Sequence, residues 1–262
     1  DRVTVASYSN PSMNYFTIDA AAELAQLIEA WRADRSVRAI VLRGDGRGTG
    51  FITHFSVEQL SEIASTPESA RAGAEPSRGF HELLDGLTKL PQAVIVAMNG
   101  DTMGGGFELS LACDIRIGQS GDHRYGLPEA RLGIMPGGGG TQRLTRLLGP
   151  GAIEFVLRSR MVDPDEALRL GLVHEVADDA VARAVQIAEE IAALPATSIA
   201  SMKAAVYRGL DTNLTSGLAI ESGYFLETML SDEGRERMAA YVSVPEPQRR
   251  DWLESQTRPG RR

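Results

Sequence analysis

The chain has one cysteine, Cys113, among 262 residues. An internal disulfide framework is therefore excluded, and a thiolate metal cluster has no ligands. Cys113 follows Leu109-Ser-Leu-Ala112, the setting of a small buried apolar side chain rather than a nucleophile. The histidines His54, His81, His123 and His174 form no H-E-x-x-H or other metal-ligand spacing, so no metal is expected. Neither a G-x-S-x-G serine elbow nor a G-x-x-x-x-G-K-[ST] phosphate loop occurs. Positive charge is in deficit, 27 Lys and Arg against 35 Asp and Glu for a net −8, which argues against a nucleic-acid partner. No apolar run approaches the roughly 18 residues of a membrane span, and no secretion-type leader opens these residues. No membrane partner is expected, and the cytoplasm is the expected compartment. The chain begins at Asp1 rather than methionine, so Asp1 need not be the natural N-terminus.

What is present suits a globular protein. Apolar residues make up 43% and charged residues 24%, ordinary fractions that supply an ample core at this length. Thr4 to Tyr8, Val37 to Arg43 and Ala93 to Met98 read as strands, the last nearly all apolar as expected when both faces are covered. Between the first two, Asp19 can cap a helix carrying Leu24, Leu27, Ile28 and Trp31 at helical spacing. A short helix is expected from Gly104 towards Ala112, followed by a strand over Asp114 to Gly118. Asp163 and Pro164 open another helix, which Gly171 stops. From Asp179 the stripe Val181, Val185, Ala188, Ile191 and Leu194 is helical, and helices over 197–209, 214–230 and 232–242 complete a C-terminal layer. Recurring strand, helix, strand predicts an α/β fold. Thr66 to Ser77 reads as a mobile loop, and the Pro- and Arg-rich tail from Pro245 as a disordered or packing arm.

Two glycine-rich stretches differ in meaning. Gly44 to Gly50 follows a strand, but its alternating glycines do not meet the G-x-G-x-x-G spacing, so a tight loop is the reading. Gly104, Gly105 and Gly106 instead precede a helix. There they either expose first-turn amides as an oxyanion hole or simply let two elements pack closely. Glu108 sits just after them and Glu129 follows Pro128 in a Gly-Leu-Pro-Glu turn. Each acid alone can be a dipole-complementing or solvated carboxylate. Together they offer one ionised group to activate water and one, protonated by burial, to donate a proton.

Several segments in order resemble the crotonase (enoyl-CoA hydratase/isomerase) superfamily. They are Pro91-Gln-Ala-Val-Ile-Val-Ala-Met-Asn-Gly100, the run Gly104-Gly-Gly-Phe-Glu-Leu-Ser-Leu-Ala-Cys-Asp114, and Gly126-Leu-Pro-Glu-Ala-Arg-Leu-Gly-Ile-Met-Pro-Gly-Gly-Gly-Gly140 with the Thr-Gln-Arg that follows. The resemblance implies a spiral of ββα units with two roughly perpendicular sheets over 1–195. It also implies a C-terminal helical region, 196–262, used in trimer contacts, as a homotrimer or a dimer of trimers. The implied substrate is an acyl-CoA thioester, with coenzyme A as part of the substrate and no separate cofactor. By position, the oxyanion amides fall on Phe55 and Gly105 and the paired hydratase carboxylates on Glu108 and Glu129. Thr53, His54, Ser56, Gly104, Pro128 and Gly137 fall on the substrate pocket. Retention of both carboxylates implies an enoyl-CoA hydratase, with an isomerase or a non-CoA carbon–carbon bond (diketone) hydrolase of the same superfamily as alternatives. The sequence departs from the family pattern at Thr53, His54, Phe55 and Ser56, where a run of small residues is usual. Phenylalanine at 55 keeps the backbone N–H, whereas histidine at 54 adds bulk where glycine is usual.

Overall fold

The computed structural model of the chain describes residues 2–46, 50–68 and 75–257. Its first strand, β1 (Val3–Tyr8), leads to α1 (Ile18–Ala33) and β2 (Ala39–Gly44). The cap of α1 corrects the sequence reading. Extended Thr17 accepts the Ala20 amide on its hydroxyl at 3.2 Å, while Asp19 sits inside the first turn and complements the helix dipole. β2 starts two residues later than expected. Of the Gly44 to Gly50 loop, residues 47–49 lie outside the described residues.

Two helices follow, α2 (Val57–Ser65) and α3 (Glu75–Thr88). Of the segment expected to be a loop, 69–74 lie outside the described residues, and 75–77 already belong to α3. Next come β3 (Ala93–Met98), β4 (Thr102–Met103), α4 (Gly104–Leu111), β5 (Ile115–Gln119) and β6 (Tyr125–Gly126). A 3₁₀ turn at Glu129–Leu132 leads to α5 (Gly140–Leu148) and α6 (Ala152–Leu157). β7 (Met161–Val162), α7 (Pro164–Arg169), β8 (Glu175–Ala177) and α8 (Ala180–Ala192) complete the sheet-bearing part. Asp163 caps α7 by accepting the Glu166 amide, and Gly171 follows the helix at φ +76°, as the sequence predicts.

Two sheets result. The larger runs β1-β2-β3-β5-β8 with every neighbouring pair parallel, and the smaller runs β4-β6-β7. Because side chains alternate along a strand, the large sheet divides two cores. Ile40, Leu42, Val94, Val96 and Met98 face the larger core with Phe107, Phe155 and Leu84. Val41, Ala93, Ile95, Ala97 and Ile117 face the smaller one, which α8 covers. The buried line of α8 is Ala180, Ala184, Ile187, Ala188 and Ala192. The expected stripe through Val181, Val185 and Ile191 flanks it and is only half-buried, because alanines let the helix lie close against the sheet.

The last helices are α9 (Ala196–Leu210), α10 (Leu214–Leu230), α11 (Asp232–Ser243) and α12 (Arg249–Ser255). The first three match the expected bounds to within one residue at each end. The tail is ordered through α12, where Trp252 packs on Tyr241 with ring centroids 5.7 Å apart, and residues 258–262 lie outside the described residues.

One buried ion pair joins α9 to the sheet. Lys203 Nζ donates to Asp114 Oδ2 at 2.8 Å and to the Gln92 carbonyl at 3.0 Å, with side-chain exposures of 8% and 17% for Lys203 and Asp114. Asp114 also accepts from the Val94 amide and the Tyr207 hydroxyl. Replacing Lys203 by methionine keeps the aliphatic stem but strands a buried carboxylate, a change of about 3–5 kcal/mol. Thermal unfolding of Lys203→Met is expected at a Tm about 10 °C lower; an unchanged Tm would show that the pair holds nothing together.

Candidate active site

The site forms where the chain segment before α2 meets the start of α4. Met103 donates its amide to the Thr53 carbonyl at 2.9 Å, tying β4 to that segment. Two residues on, Phe55 bridges Phe16 in parallel, with Phe16 N donating to His54 O and Ser56 N to Phe16 O, both at 2.8 Å. That pairing uses the groups on either side of Phe55, so its own N–H faces the other way. In that direction lies the first turn of α4, where amides have no acceptor within the helix. A Cβ built on Gly105 would stand 3.5 Å from the Phe55 nitrogen. The glycines of the triplet differ in their surroundings. A Cβ on Gly106 would come within 2.0 Å of the Ile52 carbonyl oxygen, which is packing, while Gly104 and Gly105 face a cavity.

Glu108 is one turn into α4 and only 3% exposed. Its Oε1 accepts the amides of Gly138 and Gly140, each at 2.7 Å. Glycine is required at 138, since a Cβ there would meet Phe80 at 2.4 Å and Glu108 Oε2 at 2.7 Å. Burial pushes the Glu108 carboxyl up, and the Gly140 and Gly138 amides and the Arg143 charge pull it part of the way back. Arg143 in turn donates to the Gly138 carbonyl at 2.8 Å and pairs with Asp85 at 3.2 Å, bracing the loop that grips Glu108.

Glu129 opens the 3₁₀ turn and is buried, and its Oε2 has no hydrogen-bond partner among the described residues. Burial, and secondarily the Glu108 charge, push it up to about 7 against the pull of a backbone amide. Its Oε1 would lie 3.3 Å from a Cβ on Gly104. With Glu129 pushed up to about 7, that carboxyl is partly protonated at neutral pH.

Both carboxyls, Phe55, Gly104 and Gly105 line one cavity of about 1140 Å³, with His54, Pro128 and Gly137. Two pocket residues expected from the resemblance do not line it. The Thr53 side chain is buried, its hydroxyl donating to the Met13 carbonyl. Ser56 is buried as the cap of α2, accepting the Gln59 amide at 3.2 Å. His54 is held by packing: its ring stacks on Tyr15 at 4.4 Å, and Nδ1 lies 2.7 Å from the Phe55 carbonyl oxygen. Sequence reading missed Gly138 and Gly140 as the amides that hold Glu108, although the four-glycine run was visible. It also missed Phe80, whose spacing to Leu83, Leu84 and Leu87 marks a helix face. Among the described residues no three His, Cys, Asp or Glu side chains group as a metal would require. Cys113 is buried and its thiol is pushed up to about 12, as an unreactive core residue.

The sequence profile of the enoyl-CoA hydratase/isomerase family matches residues 2–252. A short-chain-enoyl-CoA hydratase of Clostridium acetobutylicum is 33% identical over 245 residues, which cover 92% of this chain and 91% of that one. A crotonyl-CoA hydratase of Syntrophomonas wolfei is 31% identical over 246 residues, covering 92% of each. A crystal structure of an enoyl-CoA hydratase from Bacillus anthracis superposes with a TM-score of 0.84 at 29% identity, covering 92% of both chains.

The raised Glu129 carboxyl makes stability depend on pH. Unfolded, it ionises near its ordinary 4.5; folded, near about 7. Between those values the unfolded chain binds fewer protons, so the contribution of this group to stability falls as pH rises through the window and stays constant above it. Glu129→Gln removes that dependence. The variant is expected to gain on the wild type by up to about 3 kcal/mol between pH 5 and pH 8, read as denaturant midpoints at each pH. A constant difference across that range is the contrary result.

Proposed function

The chain belongs to the enoyl-CoA hydratase/isomerase family, and from that premise we propose that it adds water across the 2,3 double bond of an enoyl-CoA thioester. The Phe55 and Gly105 amides donate to the thioester oxygen as it turns anionic, which lowers the barrier to an enolate. Glu108, its Oε1 held by two amides, orients the water and draws off a proton as the oxygen bonds to the β-carbon. Glu129, protonated by burial, delivers a proton to the α-carbon. The carboxyls then exchange one proton, and the net change is one water added. Coenzyme A enters as part of the substrate.

The observation that supports this reading is that two buried carboxyls and two unengaged amides share one cavity wall. Possession of both acids favours hydration over double-bond isomerisation, which needs only one proton carrier. The proposal extends to assembly, as a homotrimer or a dimer of trimers through 196–262. Helices α9 and α10 expose Met202, Val206, Leu218, Phe225 and Leu226, an apolar surface suited to self-association. A cytoplasmic location is also proposed. Among the described residues no helix is long and apolar enough to cross a membrane.

Loss of the conjugated enoyl absorbance measures the reaction directly. Glu108→Gln and Glu129→Gln are each expected to lower kcat by about 10²–10⁴-fold with the fold retained. In the wild type, kcat/KM is expected to fall as pH rises through about 7, where Glu129 ionises. Near-full activity of either variant, or formation of a shifted double bond without hydroxyl product, would overturn the assignment.

A further inference from the structure

We propose, resting on the hydratase reading, that the substrate carries a long apolar acyl chain, held between α1, α2 and α3. Cavities for drug-sized ligands measure roughly 300–1,000 Å³; this one, about 1140 Å³, exceeds that range. Its walls say what fills it.

Helix α2 buries none of its residues, yet Val57, Leu60 and Ile63 lie along one face and line the cavity. An amphipathic helix ordinarily sets such a face on the core; here the face is left for a ligand. Across the gap α1 presents Ala21, Ala22 and Ala25, whose short side chains keep the space open. At the far end α1 and α3 close together, a Cβ on Gly86 standing only 3.3 Å from Ile28 Cγ2. Near the reacting end the rings of Phe55 and Phe80 meet edge to face at 6.0 Å, an apolar floor beside the Phe55 and Gly105 amides.

Charge identifies which end of the thioester lies there. Among the described residues that line this cavity there is no lysine or arginine, and Glu29 and Glu82 do line it. The nucleotide end, with its phosphates, would be repelled by those two carboxylates. A neutral hydrocarbon chain is not repelled, and along α1 and α2 it meets Ala21, Ala22, Ala25, Val57, Leu60 and Ile63. The residues that set chain length are therefore the alanines of α1 and the α2 face, and Ala25 is the position where bulk cuts the space.

Two measurements test this. Calorimetry with saturated acyl-CoAs of four, eight and twelve carbons reads binding alone; affinity is expected to rise about fourfold per methylene while the chain is being buried. Turnover of the matching trans-2-enoyl thioesters should show kcat/KM about a hundredfold or more higher at twelve carbons than at four, on the same scale. In Ala25→Trp the twelve-to-four ratio should drop at least tenfold. Affinity that is flat, absent or falling with chain length, or a ratio unmoved in Ala25→Trp, overturns the proposal. Chain-dependent affinity without turnover at any length overturns hydration alone and leaves the acyl site standing.

Discussion

The active cavity depends on a carboxyl group kept in an almost dry place. Glu108 is 3% exposed, a position an acid occupies only when hydrogen bonds compensate lost water. Two glycine amides from the loop before α5 converge on one of its oxygens. That contact fixes the loop against α4, and Arg143, donating to the loop carbonyl and pairing with Asp85, fixes it against α3. Glu129 has no such clamp. Its orphaned Oε2 and raised pKa follow from the same burial without the same donors. The two acids thus differ in how their oxygens are held, although burial pushes both carboxyls up.

The rest of the fold supplies the rigidity this arrangement requires. β3 is buried on both faces, between a large core and the alanine face of α8. It delivers the chain to β4 and then to α4, all eight residues of which are buried. From the other side, the Phe16–Phe55 bridge and the Met103–Thr53 bond hold the Phe55 peptide beside α4. Both proposed donor amides are therefore held by paired backbone, and an oxyanion site works only when its dipoles are already aimed.

Much of this was legible in the residues, unevenly. β3, α4, α7 and the C-terminal helices follow local patterns, namely apolar runs, a glycine-led start, a capped proline and helical stripes. The sequence reading names both glutamates, and both meet at the cavity. Long-range contacts were not legible. Nothing local to Gly138 says that its amide turns towards Glu108, and nothing in Thr17 outranks Asp19 as a cap until the backbone angle at Thr17 is known. Thr53 and Ser56 were assigned to the pocket by position, yet one is used by the Met13 carbonyl and the other by the start of α2. Residue type and place in the chain do not reveal which way a side chain turns in an extended segment.

The departure at 53–56 is tolerable because the proposed donor at 55 is main chain. Alanine and phenylalanine present the same N–H, so substitution there changes the surroundings of the oxyanion and not its donor. The phenyl ring instead joins Phe16 and Phe80, with centroids 6.1 and 6.0 Å away, and becomes part of the cavity floor. His54 acts similarly: stacked on Tyr15 and bonded to the Phe55 carbonyl, it holds the peptide through bulk where the family holds it with small residues. Side chains in this stretch can therefore be exchanged for substrate fit while the backbone keeps the chemistry. The extra aromatic surface then lies where an apolar acyl chain would first leave the reacting carbons.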